Sequence, residues 1–192
     1  MESQLIRAFF AIKPPRGSLD EIEAATRELR KSFPNSIKWI PPDSQHITLK
    51  FMGAFNLSHA STIHTDLKKN LSKFGAFSFS IQTIGVFPNP KYSKILRLGV
   101  NDGNQIIRLA KFINSSISHF GYKDENRHLS PHITIGRVKK SISFLIRQQI
   151  GEKVQNYKIP LMKNIDVEKI SLIQSDLSPK GPIYSTLFEI SL

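Results

Sequence analysis

Apolar residues are spaced in two different ways along this chain. Some segments are short and mostly apolar or alternate between apolar and polar residues, which is typical of strands, whereas in others apolar residues recur every three or four positions, as on one face of a helix. Pro-rich turns such as FPNP (87–90) and SPKGP (178–182) separate some of the apolar segments. The pattern predicts strands near residues 5–12, 37–40, 46–52, 77–86, 94–100, 132–138, 157–162, 165–174 and 183–190.

Four stretches with helical spacing lie between these strands, with apolar stripes over residues 19–33, 57–74, 106–120 and 142–150. Ser18 and Glu21 predict a capping box at the start of the first, while Gly121 and Gly151 predict the ends of the third and fourth. Helices and strands are mixed, and several neighbouring strands are close enough to form hairpins. We therefore expect an α+β fold with antiparallel sheets rather than a doubly wound parallel sheet.

No flexible or low-complexity linker divides the chain, so residues 1–192 are expected to form a single domain. A strand, a helix and a second strand recur in the same order in each half. This repetition predicts two pseudo-symmetric lobes derived from a distant duplication.

The chain is strongly basic, with 27 Lys and Arg against 15 Asp and Glu and a formal net charge of +12. Such an excess favours polyanionic partners such as RNA. The absence of Cys excludes disulfides, thiolate metal sites and a Cys nucleophile. Arg7 interrupts the apolar N-terminal segment, and no apolar run reaches transmembrane length. We expect a cytoplasmic protein without a membrane partner, and a monomer by default.

One short pattern occurs twice, as His-Ile-Thr-Leu at 46–49 and His-Ile-Thr-Ile at 132–135. A composition of this kind gives roughly 0.03 copies of His-apolar-Thr-apolar by chance. In a regular strand, His and Thr share one face while the aliphatic residues point into a core. By the same alternation Lys50 joins the polar face of the first copy, and Phe51 joins the core face. The alternative is that each copy is a half-buried strand whose His and Thr merely face water.

Two histidines facing one pocket suit phosphoryl transfer from a cyclic ester or an internal nucleophile. One imidazole can take a proton from the attacking water or hydroxyl, and the other can give a proton to the leaving oxygen. Thr hydroxyls and cationic side chains can stabilise charge on the non-bridging oxygens, so this chemistry requires no metal. The spacing does not decide which histidine has which role.

A metal site is the competing explanation for one of the two motifs. His128 and His132 have the i, i+4 spacing of a zinc pair on a helix. Pro131 lies between them and disfavours the continuous helix that this spacing requires. We therefore expect no metal site.

The similarity to a known family extends beyond the two motifs. The chain resembles the 2H phosphoesterase superfamily, named for its two His-x-Thr-x motifs, and most closely its RNA 2′,3′-cyclic phosphodiesterase branch, also called 2′-5′ RNA ligase-like. The resemblance covers nearly the whole chain. The similar segments are IRAFFAIKPP, IKWIPPDSQHITLKFMG, VFPNPKYSKILRLGV, SPHITIGRVK and LIQSDLSPKGPIYSTL.

The resemblance implies a bilobal fold in which two antiparallel sheets face a central cleft and helices lie outside. It also implies metal-independent hydrolysis of an RNA 2′,3′-cyclic phosphate to a 2′-phosphomonoester, without a cofactor. Run in reverse, with an RNA 5′-hydroxyl in place of water, the same chemistry would make a 2′-5′ linkage. His46 would be the proton donor and His132 the proton acceptor, while Thr48 and Thr134 would hold phosphate oxygens.

Two further residues follow from the resemblance. Arg137 would add positive charge near the phosphate, but an ideal strand places it on the face opposite His132, so that a bulge or a strand end is needed. Tyr184 would either line the cleft or pack in the core. The alternatives to this enzyme are an RNA-end or nucleotide-binding module without turnover, and a phosphodiesterase for a small cyclic nucleotide, ADP-ribose cyclic phosphate or 2′-5′ oligoadenylate.

Overall fold

The computed structural model describes residues 4–122, 129–179 and 181–192. Within these residues the chain forms nine strands and five α-helices. The strands are β1 (Leu5–Ile12), β2 (Ile37–Trp39), β3 (Ile47–Asn56), β4 (Phe77–Phe87), β5 (Ile95–Asn101), β6 (His132–Val138), β7 (Ile165–Val167), β8 (Lys169–Ser178) and β9 (Gly181–Ser191). The helices are α1 (Arg16–Ala25), α2 (Arg27–Ser32), α3 (Ala60–Leu71), α4 (Asn104–Ser116) and α5 (Phe144–Gln155).

The strands form two sheets in which every neighbouring pair is antiparallel. The first sheet has the order β3-β1-β8-β9, and the second has the order β2-β6-β5-β4-β7. Helix α3 packs against β9 of the first sheet, and α5 packs against β4 of the second. The predicted α+β class with two antiparallel sheets is therefore confirmed.

Strand β1 is buried on both faces, which explains why its sequence LIRAFFAI does not alternate. Phe10 and Ile12 lie in the main core, where each large apolar side chain contributes about 1.5–3 kcal/mol by leaving water. Phe9 and Ala11 point the other way and form a smaller cluster with Ile173. This smaller cluster forms an apolar floor on the opposite side of the first sheet.

The first predicted helix is divided in two, and its predicted cap is wrong. Helix α1 begins directly after Pro15, so Ser18 lies within its first turn and makes no capping hydrogen bond. The helix breaks at Thr26, whose buried hydroxyl donates to the Ile22 carbonyl at 2.8 Å. A Thr hydroxyl that bonds back to the preceding turn is a known cause of helix bending.

The region after β6 also departs from prediction. Helix α5 continues through Gly151, where an added Cβ would lie 2.1 Å from the Pro90 carbonyl oxygen, so this glycine serves close packing rather than helix termination. The strand predicted at 157–162 is not present; instead, Tyr157 donates to the Ala25 carbonyl at 2.7 Å. The predicted strand 165–174 is divided into β7 and β8, which join different sheets.

No helix among the described residues is long and apolar enough to span a membrane.

Candidate active site

The second motif strand contains a β-bulge that decides where its cation points. In the ladder with β5, Ile135 has no partner, although Thr134 before it and Gly136 after it are both paired. One extra residue reverses the face that the following side chains reach. Arg137 is consequently exposed on the same face as His132. This is the bulge that the sequence prediction required if Arg137 was to reach the cleft.

The first motif strand has a bulge at the equivalent position. In the ladder with β1, Leu49 has no partner and directly follows Thr48. Lys50 therefore turns inward, where it is 6% exposed and donates a hydrogen bond to Asn114 of α4. Phe51 turns outward and is 54% exposed. The predictions that Lys50 shares the polar face and that Phe51 belongs to the core are both wrong, because they assumed an unbroken alternation.

These two bulges give the motifs a common geometry with different chemistry. Phe51 and Arg137 each occupy the fifth position after the motif histidine, and each is returned to the histidine's face by the bulge. One motif therefore presents an aromatic ring where the other presents a guanidinium. The two walls of the site are alike in backbone and unlike in charge.

Each motif histidine is held by a hydrogen bond to the backbone carbonyl two residues before it. His46 Nδ1 lies 2.8 Å from the Ser44 carbonyl oxygen, and His132 Nδ1 lies 2.8 Å from the Ser130 carbonyl oxygen. A carbonyl oxygen only accepts, so Nδ1 is the donor in each ring. The proton on Nδ1 leaves Nε2 of each imidazole to exchange protons with a substrate.

Aromatic side chains surround His46. The Phe9 ring stacks on the imidazole with centroids 4.8 Å apart, and the Tyr184 ring meets it edge-on at 5.4 Å. Phe51 lies across the strand pair from Phe9, with ring centroids 6.0 Å apart. The apolar floor of the first sheet thus continues into an aromatic surface beside His46.

The environment of His46 disfavours its charged form. Burial lowers the pKa of His46 below its ordinary value, and this effect is opposed by the hydrogen bond to the Ser44 carbonyl. The charges of His132, Lys13 and Arg137 lower this pKa further. Lys13 and Arg137 therefore place positive charge close to His46, where a bound anion would meet it.

Tyr184 lines a small cavity of about 40 Å³ beside His46, together with Lys13 and Thr186. Burial raises the pKa of the Tyr184 hydroxyl, and the charge of Arg137 opposes that rise. Lys13 Nζ donates to Thr186 Oγ1 at 3.3 Å. Tyr184 therefore packs against the aromatic cluster and also borders the cleft, so it combines the packing role and the cleft-lining role that the sequence left open.

The structure brings all of the predicted site residues to one region. Thr48 and Thr134 are half-buried on the faces that carry the motif histidines. The sequence reasoning did not identify Phe9, Phe51 or Lys13. A signal for Phe51 was available, because it stands at the same position after its motif as the arginine of the second motif.

The metal alternative is not supported by the local structure of the motif. His132 opens strand β6 and is not part of a helix, while His128 lies outside the described residues. Within the described ranges, no group of three or more His, Asp or Glu side chains is placed to hold a metal ion.

Two histidines on separate antiparallel sheets, close enough for the charges of His132 and Arg137 to lower the pKa of His46, have the arrangement that the two-histidine phosphoesterase resemblance implies. The 2′-5′ RNA ligase superfamily model matches residues 14–179, and the chain belongs to this superfamily. It is 31% identical to an RNA 2′,3′-cyclic phosphodiesterase from Methanothermobacter thermautotrophicus, over 95% of this chain and 96% of the relative. It is 28% identical to a protein of the same name from Aquifex aeolicus, over 98% of both chains.

Solved structures agree on the fold. The crystal structure of TT0787 from Thermus thermophilus superimposes with a TM-score of 0.74 at 24% identity, covering 97% of this chain and 98% of that one. E. coli LigT complexed with 3′-AMP gives a TM-score of 0.72 at 20% identity, covering 98% and 99%. The 2H phosphoesterase resemblance and the fold that it implied are thus confirmed.

Proposed function

We propose that this protein is an RNA 2′,3′-cyclic phosphodiesterase that hydrolyses a terminal cyclic phosphate to a 2′-phosphomonoester. The observation that carries the proposal is the pair of histidines, each with Nδ1 bonded to a carbonyl, which leaves two Nε2 atoms to exchange protons within one cationic cleft. The names of the relatives support the same reaction. The net charge of +12 favours an RNA end over a small nucleotide.

In the proposed reaction, His132 Nε2 accepts a proton from water as the water oxygen attacks phosphorus. The bond between phosphorus and O3′ breaks, and His46 Nε2 gives its proton to that oxygen. The phosphate stays on O2′, so the product is a 2′-phosphomonoester with a free 3′-hydroxyl. The two histidines exchange protonation states in each turnover and are reset by solvent.

Thr48, Thr134 and Arg137 would hold the non-bridging oxygens. A guanidinium is always charged and presents several donors in a fixed plane, which suits two oxygens of one phosphate. The bulge after Thr134 supports this role because it places Arg137 on the histidine's face. Charge that develops on these oxygens in the transition state would then meet donors already in position.

The proton-donor role requires His46 to be cationic, although burial and its neighbours lower its pKa in the empty cleft. A bound cyclic phosphate brings a negative charge beside the imidazole. An opposite charge within a few ångströms favours the charged form of a histidine. Substrate binding would therefore promote protonation of the acid that the reaction uses.

The aromatic surface beside His46 would bind the terminal nucleoside. Phe51 is exposed, lies across from Phe9, and belongs to the same wall as the proposed acid. Stacking of a base on an aromatic ring is worth about 1–3 kcal/mol and tolerates any base. This arrangement fits an enzyme that recognises a cyclic end rather than a sequence.

Product analysis on a short RNA ending in a 2′,3′-cyclic phosphate tests the proposal. We expect the wild-type protein to yield only the 2′-phosphate, and His46→Ala or His132→Ala to be about 10²–10⁴-fold slower. His119→Ala changes an exposed histidine of the same chain and is the matched control. Full turnover by either motif variant contradicts the proposal, as does loss of activity in EDTA followed by rescue with a metal.

An RNA-end binding module without turnover would instead retain cyclic-phosphate RNA unchanged in the same assay. Faster hydrolysis of a small cyclic nucleotide than of an RNA ending in a cyclic phosphate would favour the small-substrate alternative.

The matching bulges and histidine hydrogen bonds support the proposed duplication of two lobes. The monomeric state and the cytoplasmic location stay predictions.

A further inference from the structure

A cavity of about 400 Å³ lies next to His132 on the second sheet, and the described residues that line it all lie between residues 83 and 132. Its volume falls at the lower end of the range for small-ligand pockets. None of the first-sheet residues described above, including the aromatic ring of Phe51, lines it. Its walls include Thr83, Gly85, Arg97, Gly99, Asn104 and His132.

The cavity continues the catalytic face of the second sheet. Gly99 pairs with His132 on one side and Thr83 on the other, and Arg97 pairs with Thr134. Cross-strand partners place their side chains on the same face of a sheet. A ligand that touches His132 can therefore extend over β5 and β4 without crossing the sheet.

Two glycines shape this surface. A Cβ at Gly99 would lie 2.2 Å from Thr83 Oγ1, so only a glycine allows that hydroxyl to lie over the strand. A Cβ at Gly85 would meet no atom of the described residues within 4 Å. At Gly85 the floor is therefore backbone on which a flat group can lie, whereas the Thr83 hydroxyl covers Gly99.

Arg97 supplies charge to the cavity. Its side chain is half-buried, and no hydrogen bond or ion pair joins it to another side chain or carbonyl among the described residues. Hydroxyl and amide groups of Thr83, Ser130 and Asn104 line the same space. A guanidinium with neutral hydrogen-bonding groups around it suits a phosphodiester.

The position of the cavity identifies which phosphodiester it suits. In-line displacement places the attacking and leaving oxygens on opposite sides of phosphorus. In the proposed function, on which this inference rests, His46 serves O3′ and His132 serves the attacking oxygen. Any group attached to the attacking oxygen must then extend on the His132 side, away from the aromatic surface.

We propose that this cavity binds the nucleotide whose O5′ occupies the attacking position, with Arg97 on the phosphate that follows that nucleotide. When a 2′-5′ linkage is made, the 5′-hydroxyl gives its proton to His132, O5′ bonds to phosphorus, the bond to O3′ breaks, and His46 protonates O3′. When the linkage is cleaved, the 3′-hydroxyl gives its proton to His46, O3′ bonds to phosphorus to form the 2′,3′-cyclic phosphate, the bond to O5′ breaks, and His132 protonates O5′. Neither direction needs a further reactant.

Three variants compared on two substrates test the proposal. The substrates are a 2′,3′-cyclic mononucleotide, and a 2′-5′-linked diribonucleotide whose second nucleotide carries a 3′-phosphate. Gly85→Leu fills the cavity, and Arg97→Gln removes its charge. Gln82→Leu adds the same side chain at an exposed position of β4 that does not line the cavity and is the matched control.

We expect Arg97→Gln to lower kcat/KM for the 2′-5′ diribonucleotide about ten-fold or more, the effect of losing one charge-assisted hydrogen bond. Gly85→Leu should lower it at least as much. Hydrolysis of the cyclic mononucleotide, in which water occupies the attacking position, should stay at the wild-type rate in all three variants. Removing the 3′-phosphate from the diribonucleotide should abolish the difference between wild type and Arg97→Gln.

Each contrary result overturns the proposal in a different way. Equal loss on both substrates would place the cyclic-phosphate strand itself in the cavity and exchange the roles of the two histidines. No loss on either substrate, or no cleavage of the diribonucleotide by a wild-type protein that hydrolyses the cyclic nucleotide, would leave the cavity without this ligand. A wild-type protein that opens no cyclic phosphate at all would refute the proposed function itself.

Discussion

The bulge in the second motif strand should depend on Gly136, and replacing this residue by Ala tests that dependence. Gly136 is buried, directly follows the unpaired Ile135, and pairs with Trp39 of β2. An added Cβ would lie 2.8 Å from Ile37 Cγ2 and 3.3 Å from Trp39 Cε3. Because Ile37 is 3% exposed and β-branched, its methyl group has little freedom to move away.

A carbon–carbon contact at 2.8 Å lies well inside the usual separation of about 3.5–4.0 Å. Overpacking of one methyl group in a well-packed core costs about 1–3 kcal/mol. We therefore expect Gly136→Ala to lower the free energy of unfolding by about 1–3 kcal/mol. Relief of the clash would shift the strand that carries Arg137, so kcat for cyclic-phosphate opening should fall as well.

Urea unfolding and steady-state kinetics on the same preparations measure the two effects. Gly17→Ala is the matched control, because a Cβ there meets nothing within 4 Å and lies in a helix, where Ala is favoured by about 0.5–1 kcal/mol. Ile37→Ala removes the opposing methyl group. The double variant Gly136→Ala/Ile37→Ala should therefore lose less free energy of unfolding than the two single variants lose together.

If Gly136→Ala unfolds at the wild-type urea concentration and retains full kcat, Gly136 does not hold the bulge. If the costs of Gly136→Ala and Ile37→Ala are simply additive, the clash is not with Ile37. Loss of stability with unchanged kcat would show that Gly136 matters for packing but does not position Arg137.

Three further predictions concern the cleft. The lowered pKa of His46 should shift the pH profile of kcat/KM, whose limbs belong to the histidine pair, towards acid, and the bound phosphate should shift the profile of kcat back to higher pH; the opposite order in pH–rate profiles contradicts the role of His46 as acid. Phe51→Ala should raise KM for a cyclic mononucleotide by the equivalent of about 1–3 kcal/mol while Phe51→Trp restores it, and an unchanged KM argues against base stacking. Arg137→Gln should lower kcat more than it raises KM, because its charge acts on the transition state, whereas a pure KM effect would assign it to ground-state binding.

Much of the fold was predictable because local pattern and tertiary structure agree. Strand β6 (His132–Val138) begins and ends where the sequence predicted. Its first residues alternate regularly between polar and buried apolar side chains, so the local pattern was sufficient. The histidines and threonines of the motifs were identified for the same reason. The doubled pattern was informative in itself, because chance seldom repeats a polar pair on two strands.

The errors at the two motif strands share a physical cause. A bulge is defined by the register of a strand against its partner, and a strand's own sequence does not contain that register. The placements of Lys50 and Phe51 were therefore reversed, and the position of Arg137 was left undecided. The missing strand at 157–162 has a similar origin, because Tyr157 is held by a contact with Ala25 of a helix distant in sequence.

The order of strands in the first sheet has a consequence for how the protein is made. Strand β1 lies between β3 and β8, so the wall that carries His46 and Tyr184 joins segments from distant parts of the chain. Strands β4, β5 and β6 of the opposite wall are neighbours both in sequence and in space. Long-range pairings form slowly because a long loop must close first. On a ribosome, the wall of His132 should therefore mature well before that of His46, and a nascent chain should remain inactive until β8 and β9 emerge.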